Sequence, residues 1–148
     1  GPGGFINISQ NARAVVFSGT FTAGGVRLGF PGARLAIEQE GRERKFVAEV
    51  EQLTYSGRYA MARGQRVLYV TERAVFRATP DGLELAEIAP GADLERDVLG
   101  CMAFRPRVAP DLRAMDPRLF VPEPMGLARE LAGRPAACRA VRLGGQPR

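Results

Sequence analysis

Apolar positions in this chain fall in short runs separated by glycine and proline, which predicts strands and brief helical turns rather than long helices. Ala14, Val15, Val16 and Phe17 form one continuous run, the pattern of a strand buried on both faces. Thr20, Phe21 and Thr22 prolong the β-rich composition until Gly24 and Gly25 interrupt it as a hairpin or bulge. Residues 26–30 and 33–38 flank Pro31 and Gly32 and predict a hairpin. Gly41 marks another turn. Over 45–55, Phe46, Ala48, Val50 and Gln52 alternate with Val47, Glu49, Glu51 and Leu53, which predicts a longer strand.

Tyr59, Ala60, Met61 and Ala62 predict a helical turn over 57–63, stopped by Gly64. The strongest β pattern follows, at 66–71, 74–79 and 83–88, the last two joined by the turn Pro80-Asp81-Gly82. Asp93 is placed to cap a short helix through Leu94, Val98, Leu99 and Met102. Five prolines then fall between Pro106 and Pro124, which predicts an extended wrapping strap with no long element. Within it Asp116-Pro117 starts a very short helix holding Leu119 and Phe120, and 126–131 predicts one more helical turn. Residues 133–148, rich in Arg, Gly, Pro and Ala, are expected to be disordered.

Composition changes this picture little. The 148 residues are 45% hydrophobic and 25% charged, which suits one globular domain with a tail. No apolar run approaches the roughly 20 residues of a membrane span, and the N-terminus shows no secretory pattern, so a cytoplasmic location and no membrane partner are expected. The chain has no histidine, which excludes Ser–His–Asp and Cys–His catalysis and His-containing zinc sites. Cys101 and Cys138 are too far apart in sequence for a CxxC pair and read as free thiols of a reducing compartment. The net charge of +5 arises in the last third, where nine arginines face four acids over 105–148. Lys45 is the chain's single lysine. With no aromatic-interleaved basic stripe, nucleic acid is not an expected partner.

Read residue by residue, candidate chemistry is thin. Gly1, Gly3 and Gly4 can expose backbone N–H groups to an anion, though most such turns are only turns. Glu49 and Glu51 offer a carboxylate pair, better read as a solvated strand face. Thr71, Glu72 and Arg73 place charge between two apolar strands, which reads as a salt bridge or a solvent-facing turn.

The motifs say more together. GPGGFINI at 1–8, AVVFSGTFTAGG at 14–25, FVAEVEQLTYSG at 46–57, VLYVTERAVFR at 67–77, LELAEIAPGADLERDVL at 83–99 and PDLRAMDPRLF at 110–120 resemble the family I coenzyme A transferases. The likeness is to the C-terminal portion of the single-chain acetate/propionate type. It implies an α/β fold: the β-rich C-terminal part of the second half, with a mixed sheet, short helices and a proline-rich strap. Residues 1–120 would be that domain part and 121–148 a basic, partly disordered tail.

The resemblance also implies an enzyme moving CoA between short-chain acyl-CoA and carboxylic acids through a glutamyl-CoA intermediate, with CoA as substrate and neither cofactor nor metal. The family's nucleophile is a glutamate in a Glu-Asn-Gly-like motif, and neither Asn7 nor Asn11 follows a glutamate here. The catalytic glutamate is therefore expected upstream, in a missing N-terminal portion or a companion chain. Glu40-Gly41 is a poor substitute. Carried over, Gly3 and Gly4 would present N–H groups to the acyl oxygen or CoA. The intact enzyme is expected to be a homo-oligomer, and the isolated piece inactive, with apolar edges that favour self-association. The alternative is a non-catalytic β-rich binding or scaffold module derived from such an enzyme.

Overall fold

Residues 2–133 are described by the structure, a computed structural model. Its centre is a five-stranded mixed sheet in the order β1-β6-β7-β8-β9. These strands are β1 (Ala14–Ser18), β6 (Arg66–Val70), β7 (Ala74–Thr79), β8 (Gly82–Ile88) and β9 (Arg107–Ala114). The hairpins β6–β7 and β7–β8 are antiparallel, whereas β1 runs parallel to β6 and β9 parallel to β8. Two short pairs flank the sheet: β2 (Thr22–Ala23) with β5 (Glu43–Arg44), and β3 (Arg27–Gly29) with β4 (Ala36–Gln39).

The alternation of β7 serves two cores. Ala74 and Phe76 face a cluster with Phe21, Leu85, Val98 and Met102. Val75 faces the other side, against Leu35, Ala89, Met115 and Phe120. Period-two side chains on a central strand must do this when both faces are covered. The first cluster is built around aromatic contacts, with Phe46 set 4.7 Å from Phe21 and 5.0 Å from Phe76 between ring centroids.

Helices are short. α1 (Gly3–Asn11) precedes β1, α2 (Gly57–Ala62) precedes β6, and α3 (Leu127–Ala132) ends the described chain. Ser56 caps α2 through its side chain. Asp93 caps a π-turn at Leu94–Val98, and Asp116 caps the 3-10 turn Pro117–Phe120. Gly41 has a packing reason: a Cβ there would stand 2.3 Å from the Ala23 carbonyl oxygen.

Four expectations change. The apolar pattern gives no helix before Ala14 and the glycines at 1–4 read as a turn, whereas α1 occupies Gly3–Asn11. The helix is held from outside: Gln65 Nε2 donates to the Ser9 and Ala12 carbonyls at 2.7 and 2.6 Å, satisfying acceptors at the helix end. β1 is a strand but not one buried on both faces. It lies at the sheet edge with Val16 59% exposed. Residues 45–55 form bends, not a strand. Phe46 turns into the core there while Val47 and Val50 stay exposed, so no ladder forms. Finally, the proline-rich strap contains β9, the longest strand. Pro110 is tolerated because β9 is an edge strand whose register jumps between Val108 and Arg113, leaving Pro110 within the bulge. The expected disordered tail lies outside the described residues except for Gly133, and so does Cys138. Among the described residues no helix is long and apolar enough to cross a membrane.

Arg73 has no exposed surface. Its Nε donates to Glu72 at 2.7 Å, its Nη1 to Glu40 at 2.6 Å and to the Asp97 carbonyl at 3.0 Å, and its Nη2 to Glu40 at 3.1 Å. The guanidinium carbon lies 4.8 Å from the centroid of the Phe21 ring. Replacing Arg73→Met would leave two carboxylates without their cation, so denaturant unfolding should show a loss of about 3–5 kcal/mol. A loss below about 1 kcal/mol, the scale of an exposed pair, would contradict this assignment.

Candidate functional site

α1 and β1 are joined by two residues, and the chain reverses between them. Phe5, near the start of α1, lies 6.1 Å from Phe17, near the end of β1. At the other end Gln65, just before β6, holds the α1 carbonyls. The helix is thus antiparallel to β1, and its N-terminus sits at the carboxyl end of the parallel pair β1–β6. In open α/β sheets that edge is where ligand crevices form.

The first i→i−4 bond of α1 runs from Ile6 N–H to the Pro2 carbonyl, at 2.9 Å. This places the N–H groups of Gly3, Gly4 and Phe5 ahead of the helical ladder, and Pro2 provides no side-chain cap. Neither Gly3 nor Gly4 has positive φ, and a Cβ at either would meet nothing within 4 Å. Local conformation and packing among the described residues therefore do not require glycine at these two positions.

At this end of β1–β6 a cleft of about 240 Å³ is lined by the last residues of the two strands and those that follow them, among them Ser18, Gly19, Thr20, Val70 and Thr71. Lys45 closes one side: its Nζ donates to the Thr20 carbonyl at 2.8 Å and to Thr20 Oγ1 at 2.9 Å. Phe46 and Tyr69 complete the wall and are shared with a larger neighbouring cavity of about 750 Å³. Phe17 stacks on Tyr69 at 5.2 Å between centroids, so one aromatic row links Phe5 to both spaces.

Other carboxylates and thiols are not poised for chemistry. Glu40 accepts from Arg73, from Thr22 Oγ1 and from the Gly41 N–H. Burial raises its pKa, but these hydrogen bonds and the Arg73 charge outweigh burial and hold it at about 2. A carboxylate so saturated is a poor nucleophile. Glu49 and Glu51 are both exposed in the irregular segment and share no strand face. Thr71, Glu72 and Arg73 form the buried ion-pair turn, in line with the salt-bridge reading. Burial and the neighbouring Glu40 push the Cys101 thiol above its ordinary range, which disfavours a thiolate. Among the described residues, no group of three His, Cys, Asp or Glu gathers to hold a metal.

Sequence reasoning singled out Gly3 and Gly4 as candidates and did not single out Lys45, which lines the cleft. The available signal was its being the only lysine among many arginines.

Comparison with known proteins gives a consistent result. No family model matches the chain. Over 126 residues it is 48% identical to the acetate CoA-transferase YdiF of Escherichia coli K12, covering 85% of this chain and 24% of that protein. Over 120 residues it is 48% identical to the caffeate CoA-transferase of Acetobacterium woodii, covering 81% and 23%. The fold matches crystal structures of the acyl-CoA transferase YdiF from E. coli O157:H7, as apoenzyme and as a thioester complex with CoA. Each has a TM-score of 0.83 and covers 85% of this chain. The chain thus spans about a quarter of the length of these relatives.

The low pKa of Glu40 has a pH signature. Its folded value of about 2 lies below its ordinary 4.5, so its contribution to stability is complete above about pH 4.5 and is lost as pH falls through about 2. The stability difference between the parent chain and Glu40→Gln should therefore shrink across that window in denaturation midpoints. A difference independent of pH between 2 and 5 would contradict the assignment.

Proposed function

The chain is a segment of the CoA-transferase family, and on that premise we propose that it forms part of an enzyme exchanging CoA between a short-chain acyl-CoA and a carboxylic acid. The observation that carries this reading is the position of Gly3 and Gly4. Their N–H groups lie at the carboxyl end of β1–β6, with nothing among the described residues filling the space a Cβ would take.

In this proposal the nucleophile is a glutamate outside the chain. It attacks the acyl-CoA thioester carbonyl, forming an acyl-glutamyl anhydride and releasing CoA thiolate. The thiolate attacks the glutamyl carbonyl, giving a glutamyl-CoA thioester and freeing the first carboxylate. A second carboxylate then reverses the sequence and leaves with CoA. Negative charge develops on a carbonyl oxygen at each attack, and preorganised N–H donors stabilise it without reorganisation. Gly3 and Gly4 supply such donors, and the missing side chains let a reacting group approach the backbone. Residues 1–120 belong to this catalytic half. We place the intact enzyme in the cytoplasm as a homo-oligomer completed by its N-terminal portion or a companion chain.

CoA exchange between acetyl-CoA and propionate should be absent for this chain alone and appear when it is combined with the polypeptide encoded immediately upstream. In that assembly Gly3→Pro removes one N–H at a position where helices accept proline, and kcat should fall about 10²–10³-fold. Gly3→Ala, which keeps the N–H, should fall much less. Turnover by this chain alone would refute the missing nucleophile, and equal rates for Gly3→Pro and Gly3→Ala would remove the donor role. Silence from a folded, associated pair would favour the non-catalytic binding module.

A further inference from the structure

Helix α1 carries the proposed donors, yet little in the helix itself fixes where it lies. It has nine residues, opens with two glycines and has no side-chain cap at Pro2. A helix of that length is marginal on its own. Among the described residues only Ser9 of α1 is buried, so packing into a core does not set its position. Phe5 against Phe17 supplies an aromatic contact near the N-terminus.

Polar bonds anchor the other end. Gln65 is buried, with 7% of its surface exposed. An amide nitrogen has two protons, and both are committed to α1, at the Ser9 and Ala12 carbonyls. The amide oxygen accepts from the Tyr55 hydroxyl at 2.5 Å, and the backbone N–H donates to the Ala60 carbonyl of α2 at 2.9 Å. Next to Ser9, Gln10 closes a two-bond clamp on Ser56. The Ser56 N–H donates to Gln10 Oε1 at 2.8 Å, and Gln10 Nε2 donates to the Ser56 carbonyl at 3.3 Å. Ser56 Oγ in turn accepts from the Tyr59 N–H and caps α2.

We propose that Gln65 is a positioning residue for CoA exchange, setting through α1 the place of the Gly3 and Gly4 N–H groups, with the Gln10–Ser56 clamp as its second anchor. The proposal rests on the donor role given to those glycines above. At 1.5 Å per residue, Ser9 stands only about 9 Å along the axis from Gly3, and a hydrogen-bonded helix carries a shift at one end to the other. The donors meet charge that develops only in the transition state, so misplacing them lowers kcat and leaves KM nearly unchanged.

A double-mutant cycle on the assembly of this chain with its upstream polypeptide tests the proposal. Gln65→Met keeps the length of the side chain but leaves the Ser9 and Ala12 carbonyls without their donors. Its kcat should fall about tenfold, with KM for acetyl-CoA changed less than about twofold. In the Gly3→Pro background, where one donor is already gone, the same substitution should cost less than about threefold. Gln10→Ala, which breaks only the clamp, should show a smaller loss with the same dependence on Gly3. In the chain alone, amides 6–12 of Gln65→Met should exchange with deuterium at least about tenfold faster, with β6 and β7 unchanged. Equal losses in both backgrounds are what a purely structural role gives, and they would overturn the proposal, as would unchanged kcat or unchanged exchange in α1. An inactive parent assembly would instead contradict the proposed function itself.

Discussion

Arg73 brings a permanent positive charge to a place with no exposed surface, and such burial is tolerated only when charge and protons are both answered. Here the answers come from distant parts of the chain. Glu72 is its neighbour in the β6–β7 turn, Glu40 lies just after β4, and the Asp97 carbonyl belongs to the π-turn. Glu72 also accepts from the Phe21 N–H at 2.8 Å, and Phe21 carries the guanidinium over its ring. One side chain therefore fixes the link from β1 to β2, the link from β4 to β5 and the capped turn after β8, all against the central strands.

That tie determines where the chemistry-bearing residues can be. Glu40 directs the chain through Gly41, whose close approach to Ala23 admits no side chain. β5 then pairs with β2, and the next residue, Lys45, reaches Thr20. Phe46 follows into the core against Phe21 and Phe76. The antiparallel return of α1 along β1 brings the free N–H groups of the helix to the same edge of the sheet. Backbone donors and a fixed ammonium thus share one end of the parallel pair, while the opposite end is closed by Gln65 and the α1 carbonyls.

Much of this was legible where the determinants are local. β6, β7 and β8 follow from β-branched and aromatic residues bounded by Pro80-Asp81-Gly82. The caps at Asp93 and Asp116 follow from residue type alone, as does the helical turn at α2. What failed depended on tertiary context. α1 begins with glycines of low helix propensity, and it is secured by Gln65 and Phe17 from other elements. The apolar residues of 45–55 alternate like a strand but line a cavity and insert one ring into the core. Pro110 argued against a strand without revealing that β9 is an edge with a bulge. The pairing of Arg73 with Glu40 spans 33 residues, beyond any local pattern. The donor role proposed for Gly3 and Gly4 rests on family resemblance, because nothing in their immediate neighbours singles them out.

The central claim is that the carboxyl end of β1–β6 is the end that meets CoA. Hydrogen–deuterium exchange on the intact transferase, with and without CoA, tests it most directly. Slower exchange at residues 3–5 and 18–20, with 107–114 unchanged, is the result this account predicts. Protection confined to the opposite end, around residues 13 and 65–66 or the turn at 80–82, would contradict it.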